Sequence, residues 1–179
     1  MPGTRPEIIL TATSGELLEV EALAYPEDTH LIVDPYTVAE HPQETIVELT
    51  AMAEAALPRT LGEIISVPAK GMAAKWLYRL VLLDFDLQKH CRAETVEHTL
   101  RELIRRVTDL KIQRLGLDRF EFMERCISAY RVLSCMCDQA RRLKATGCSP
   151  PESLIFAVHK KTTMRHYQLA LANLPRDDR

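Results

Sequence analysis

No stretch of this sequence stays apolar for the ~18 residues that a membrane-crossing helix needs. The most apolar run, Trp76 to Phe85, is broken by Arg79 and Asp84. There is no basic surplus either: 23 Lys and Arg stand against 25 Asp and Glu, for a formal net charge of −2. A nucleic-acid partner is therefore not expected. The opening residues, Met1-Pro2-Gly3-Thr4-Arg5-Pro6, hold no apolar signal core, so a secretory signal is not expected. Five cysteines make an odd number, which suits reduced thiols in a cytoplasmic protein better than a disulfide framework. Internal repeats, low-complexity tracts and a dividing linker are all missing, and 179 residues with 46 % hydrophobic content suffice for one core, so a single domain over 1–179 is expected.

What is present alternates. Glu7 to Thr13 reads as a first strand, ended by Ser14-Gly15. Tyr25-Pro26-Glu27-Asp28 reads as a turn and His30 to Asp34 as a second strand stopped by Pro35. His41-Pro42 opens a helix whose Ile46, Leu49, Met52, Ala53 and Ala56 recur at helical spacing up to Pro58. Strands are expected at Glu63 to Pro68 and Trp76 to Asp84. The second is apolar enough to be covered on both faces.

Val96, Leu100, Leu103, Ile104, Val107 and Leu110 make one stripe on a helix from Ala93 to Asp109. A short strand at Lys111 to Leu115 follows, then a long helix opened by Asp118 and Glu121 and ended near Lys144, with Gly147 suited to its C-terminal cap. Leu154 to His159 reads as a last strand and Thr163 to Asn173 as a last helix. This order predicts an α/β fold in three layers, α/β/α, around a mixed, mostly parallel sheet of about six strands.

Several short motifs carry a resemblance. Gly15-Glu16-Leu17, the Leu31-Ile32-Val33-Asp34 strand end, Leu61-Gly62-Glu63 to Pro68 followed by Trp76 to Leu83, and Leu115-Gly116 together resemble the macro-domain-like fold. That fold is shared by ADP-ribose-binding macro domains and the N-terminal domain of leucine aminopeptidases. The resemblance implies a nucleotide-binding cleft with Glu16 at the adenine-contacting position. It also marks a departure: macro domains that bind ADP-ribose follow the second strand with an Ala-Asn pair and a glycine-rich loop, whereas here no glycine occurs between Gly15 and Gly62. Close backbone approach to a pyrophosphate needs glycine. Asp118, Glu121 and Glu124 also place negative charge where a phosphate would sit near Gly116.

Other candidates each carry two readings. His159-Lys160-Lys161-Thr162-Thr163-Met164-Arg165-His166 opens the last helix and is either an anion site or a solvated helix start. Asp34 is either a ligand acceptor or a turn carboxylate. His90-Cys91 is a nucleophile–base pair only in outline. Cys135 and Cys137 lie about 200° apart on a helix and do not chelate one metal. Val132, Cys135 and Met136 fall off the main stripe of the long helix and are either a partner surface or covered by a neighbouring helix.

The candidate ligand-binding residues are therefore Glu16, Asp34, Gly116, Lys160 and Lys161, with no catalytic residue, no metal ligand and no cofactor expected. The expected function is a non-catalytic macro-domain-like module for a small anionic or nucleotide-like ligand. Its alternatives are an assembly protein that forms a homodimer through the helix 119–145, and, last, a hydrolase of ADP-ribose derivatives.

Overall fold

A computed structural model describes residues 5–31, 36, 43–56, 58–86 and 90–175. Six strands are ordered β1-β6-β5-β2-β4-β3: β1 (Glu7–Thr11), β2 (Ala22–Asp28), β3 (Ile64–Pro68), β4 (Trp76–Leu83), β5 (Arg114–Leu117) and β6 (Ser153–Ala157). All neighbours run parallel except β3, which pairs antiparallel with β4 at one edge. Among the described residues four helices, α1 (Ile46–Ala55), α2 (Ala93–Asp109), α3 (Ala129–Ala145) and α4 (Lys161–Asn173), complete the three-layer α/β/α arrangement, with short 3-10 turns at Gly15–Leu17 and Phe120–Met123.

Period-2 alternation sends β-strand side chains to opposite faces. Ala24, Leu80, Leu115 and Phe156 point into the larger core, which α2, α3 and α4 cover with Leu100, Leu103, Leu133, Met136 and Tyr167. Leu23, Tyr25, Leu77 and Ile155 point the other way, into a smaller core closed by Leu18, Val20, Tyr36 and Ala74. Val96, Leu100, Leu103, Ile104 and Val107 are all fully buried, as their stripe predicts, but Leu110, expected in the same stripe, caps the end of α2 and is 54 % exposed. Gly147, at φ 85°, ends α3 as expected, with its N–H donating to the Lys144 carbonyl.

The second strand departs from the sequence expectation. β2 runs over Ala22–Asp28, while His30 lies in a turn and Leu31 has φ 55°. Tyr25-Pro26-Glu27-Asp28 is thus strand, not turn. A proline is tolerated there for a local reason. The Ala24 carbonyl bonds the Asp118 N–H, on the side where β5 pairs. Pro26, two residues on, faces the same side, just past the last β2–β5 pair at Ala24 and Leu117. Its missing N–H therefore removes no ladder bond.

The long helix also begins later than expected. Residues 118–128 form a turn and loop, and Ser128 caps α3 by accepting from the Arg131 N–H at 3.3 Å. Val132, Cys135 and Met136 are buried, with the Cys135 thiol 3.3 Å from the Glu97 carbonyl of α2. They are covered by the neighbouring helix and offer no partner surface.

Candidate functional site

In α/β sheets ligands bind beyond the carboxyl ends of the strands. Here the ends of β1, β2, β5 and β6 are followed by Gly15, His30, Asp118 and His159 respectively. Asp118 is at the centre of this group. It is buried, yet its carboxylate is fully engaged. The Tyr36 hydroxyl donates to Oδ2. The Arg119 N–H donates to Oδ1 at 2.8 Å, and His159 Nε2 lies 2.9 Å from the same oxygen. An ionised carboxylate only accepts, so Nε2 carries the proton. Each hydrogen bond to a charged group contributes about 1.5–3 kcal/mol, which offsets the cost of burying the charge.

Tyr36 is fixed from several sides. Its ring lies 4.5 Å from that of Tyr25, and the Arg119 guanidinium stands 5.3 Å over it. Burial first, and then the Asp118 charge, push its hydroxyl well above the ordinary tyrosine range, so it stays protonated and remains a donor. Gly15 is what allows this closeness. A Cβ there would meet the Tyr36 hydroxyl and stand 2.6 Å from Asp118 Oδ2. Arg119 adopts φ 60°, an uncommon conformation for a non-glycine residue, and turns its N–H back onto Asp118.

The start of α4 is supplied with carboxylates as well. Glu121 Oε2 accepts from the His159 N–H at 3.4 Å. Glu124 Oε2 accepts from Thr163 Oγ1 at 3.0 Å, and its Oε1 lies 2.9 Å from His166 Nδ1. The acidic residues 118, 121 and 124 thus meet His159, Thr163 and His166 around the start of α4. Among the described residues, a shallow pocket of about 90 Å³ lies between Pro26, Asp28, Leu83, Arg119 and Phe122.

The expected site residues are only partly brought together. Glu16 lies in the 3-10 turn after β1, exposed, and close enough for its charge to act on Tyr36. Lys160 and Lys161 are exposed at the start of α4, with Lys160 Nζ 5.6 Å over the Phe122 ring. Gly116 sits inside β5, not in a loop. A Cβ there would come within 2.9 Å of Leu23 and 3.1 Å of Val20, so its small size serves packing. Asp34 lies outside the described residues. Of the residues that meet at Asp118, His159 falls in the segment expected as an anion site, and Tyr36 is not among the expected binding residues. The signal for His159 was its place two residues past the end of β6, and nothing local marked Tyr36.

The cysteine expectation needs correction too. Cys91 and Cys126 form a disulfide, with Cα atoms 5.9 Å apart. Both α2 and α3 follow parallel strands, so their N-termini lie at the same end of the sheet and bring together residues separated by 35 positions. Cys91 is therefore not a nucleophile in this state. Cys135 and Cys137 are buried thiols and Cys148 is exposed.

No protein-family model matches the sequence, and no curated protein is found to match it. Solved structures do. An Oceanobacillus iheyensis macrodomain with ADP aligns at TM-score 0.66 and 9 % identity, over 92 % of this chain and 90 % of that one. A Trypanosoma brucei macrodomain in complex with ADP-ribose aligns at 0.65 and 12 %, over 92 % and 69 %. A further Trypanosoma brucei macrodomain aligns at 0.64 and 12 %, over 92 % and 67 %. The class is thus a three-layer α/β/α fold around a mixed, mostly parallel sheet. Within that class the chain has a macro-domain-like fold, far diverged in sequence. Among the described residues no helix is long and apolar enough to cross a membrane.

Proposed function

We propose that this chain, as one domain over 1–179, is a non-catalytic macro-domain-like binding module whose anion seat is filled by its own Asp118. The observation that carries this reading is the buried carboxylate receiving Tyr36, His159 and the Arg119 N–H. A backbone amide with converging side-chain donors is the usual make-up of an anion site. The related folds of Oceanobacillus iheyensis and Trypanosoma brucei were solved with ADP and ADP-ribose, which supports a nucleotide-like ligand class. The ligand of this chain then keeps its anionic group at the rim, where Lys160 and Lys161 supply positive charge, Glu16 offers an acceptor, and Asp34 is the remaining sequence candidate. Gly116 is packed and drops out.

The non-catalytic reading rests on the same residues. Asp118 is saturated with donors, so it is no general base, and Cys91 is held in a disulfide. Calorimetric titration with ADP-ribose, ADP and inorganic phosphate at millimolar concentration tests the reading. Expected is measurable heat from at least one of them, with affinity at least tenfold lower in the Lys160→Glu/Lys161→Glu variant. Absence of heat from all three contradicts it.

A further inference from the structure

The helix α1 is built to stay helical but is hardly attached. Thr45 and Glu48 form a reciprocal capping box: the Glu48 N–H donates to Thr45 Oγ1 at 3.3 Å, and the Thr45 N–H to Glu48 Oε2 at 2.7 Å. Its sequence, IVELTAMAEA, is apolar nearly all round, and a helix of that kind is ordinarily buried. Yet within α1 only Leu49 is buried, while Val47 is 78 % exposed and Ile46 and Met52 are more than half exposed.

Charge narrows the choice of cover. Residues 43–56 carry Glu44, Glu48 and Glu54 and no Lys or Arg. Two copies of α1 lying together would set like charges against one another, so an α1–α1 pair is disfavoured. Elsewhere on the same molecule a groove of about 470 Å³ runs between α3 and α4, with Ala129, Tyr130, Leu169 and Ala170 in its lining. Tyr130 and Leu169 are exposed there. Lys161, Arg165 and Leu169 recur every four residues along α4, so positive charge flanks the apolar groove on one stripe. Glu124, in the groove wall, is already met by Thr163 and His166.

We propose that α1 of one copy docks in the α3–α4 groove of a second copy, its apolar side chains over Tyr130 and Leu169 and its glutamates toward Lys161 and Arg165. The contact is heterologous. It closes as a two-fold dimer if both copies exchange α1, and otherwise extends head to tail. One ten-residue helix in one groove makes a small interface, so association is weak and concentration-dependent. The surface shares Lys161 with the rim of the strand-end cleft, so the test varies Val47, Glu54, Arg165 and Leu169, none of which the ligand reading uses.

Sedimentation velocity of the full chain over a wide concentration range reads the contact. Expected is a mass that rises with concentration, and that returns to monomer in Val47→Asp and, separately, in Leu169→Asp. Both sites are exposed, so unchanged circular dichroism and Tm confirm that the variants fold. Glu54→Lys weakens association, and adding Arg165→Glu restores it. A strict monomer at all concentrations overturns the proposal, as does association that survives either Val47→Asp or Leu169→Asp, or a charge swap that fails to restore it.

Discussion

The two faces of the sheet are covered in different ways. One lies under α2, α3 and α4, where Leu100, Leu103, Ile104, Leu133 and Met136 interdigitate with no exposure. Among the described residues, the other is closed by Leu18, Val20, Tyr36 and Ala74 from segments between the strands. On the helical face any one side chain has many neighbours, and its loss is a packing loss. On the thin face Tyr36 both closes the core and donates to Asp118, so stability and the chemistry of the cleft rest on the same atom. A binding cleft can be remodelled on the thin face without disturbing the thick one.

The sharpest break of that comparison is a cavity on the thick face. Leu103→Ala is expected to cost about 2–5 kcal/mol in urea unfolding while leaving any anion binding at the cleft unchanged. If cleft binding falls in parallel, the two faces are not separable. Tyr36→Phe comes next. It removes one donor from a buried carboxylate at almost constant volume and is expected to cost about 1–3 kcal/mol. Adding Asp118→Asn should then cost far less than it does alone, because the pair acts as a unit.

Thr45→Ala removes the cap of α1 and is expected to weaken that helix by ~1 kcal/mol. Because α1 is barely packed, the loss should show as faster amide exchange within α1 and leave the global unfolding midpoint nearly unmoved.

The smallest effect expected is on the solvent side of the thick face. Arg105 and then Arg106, beside Glu102, hold its carboxyl down to about 2 from an ordinary 4.5. The folded value is the lower one, so the contribution is complete above the unfolded pKa and is lost as pH falls toward 2. Both partners are solvated, so the effect is small. Glu102→Gln should flatten that part of the acid limb of stability, measured by thermal unfolding against pH. Thiol labelling sharpens the same contrast. Burial pushes Cys135 up to about 11, and Cys137 is also buried. Native, unreduced protein should therefore take up iodoacetamide at Cys148 and not at those two.

The thick face was legible in the sequence because its signal is periodic. The stripe Val96–Leu100–Leu103–Ile104–Val107 defines α2 by itself, and the apolar run from Trp76 defines β4. The thin face was not. Pro26 and two adjacent acids have the composition of a turn, but pairing with β4 makes them strand, and the early end of β5 leaves room for the proline. The carboxylates at this end of the sheet, Asp118, Glu121 and Glu124, were legible in the sequence. That Tyr36 reaches Asp118 across 82 positions was not, since no local pattern encodes such a contact. The pairing of Cys91 with Cys126 failed for the same reason: it follows from the parallel sheet placing two helix starts side by side.

The claim on which the rest turns is that Asp118 is an anion bound in an anion site. Truncating it to alanine leaves Tyr36, His159 and the Arg119 N–H facing an empty position. Thermal unfolding of Asp118→Ala against formate concentration measures that directly. The expected result is a saturable rise in Tm with added formate, absent in the unaltered chain, because a ligand that binds only the folded state stabilises it. A folded variant whose Tm responds to formate no more than the unaltered chain contradicts the claim.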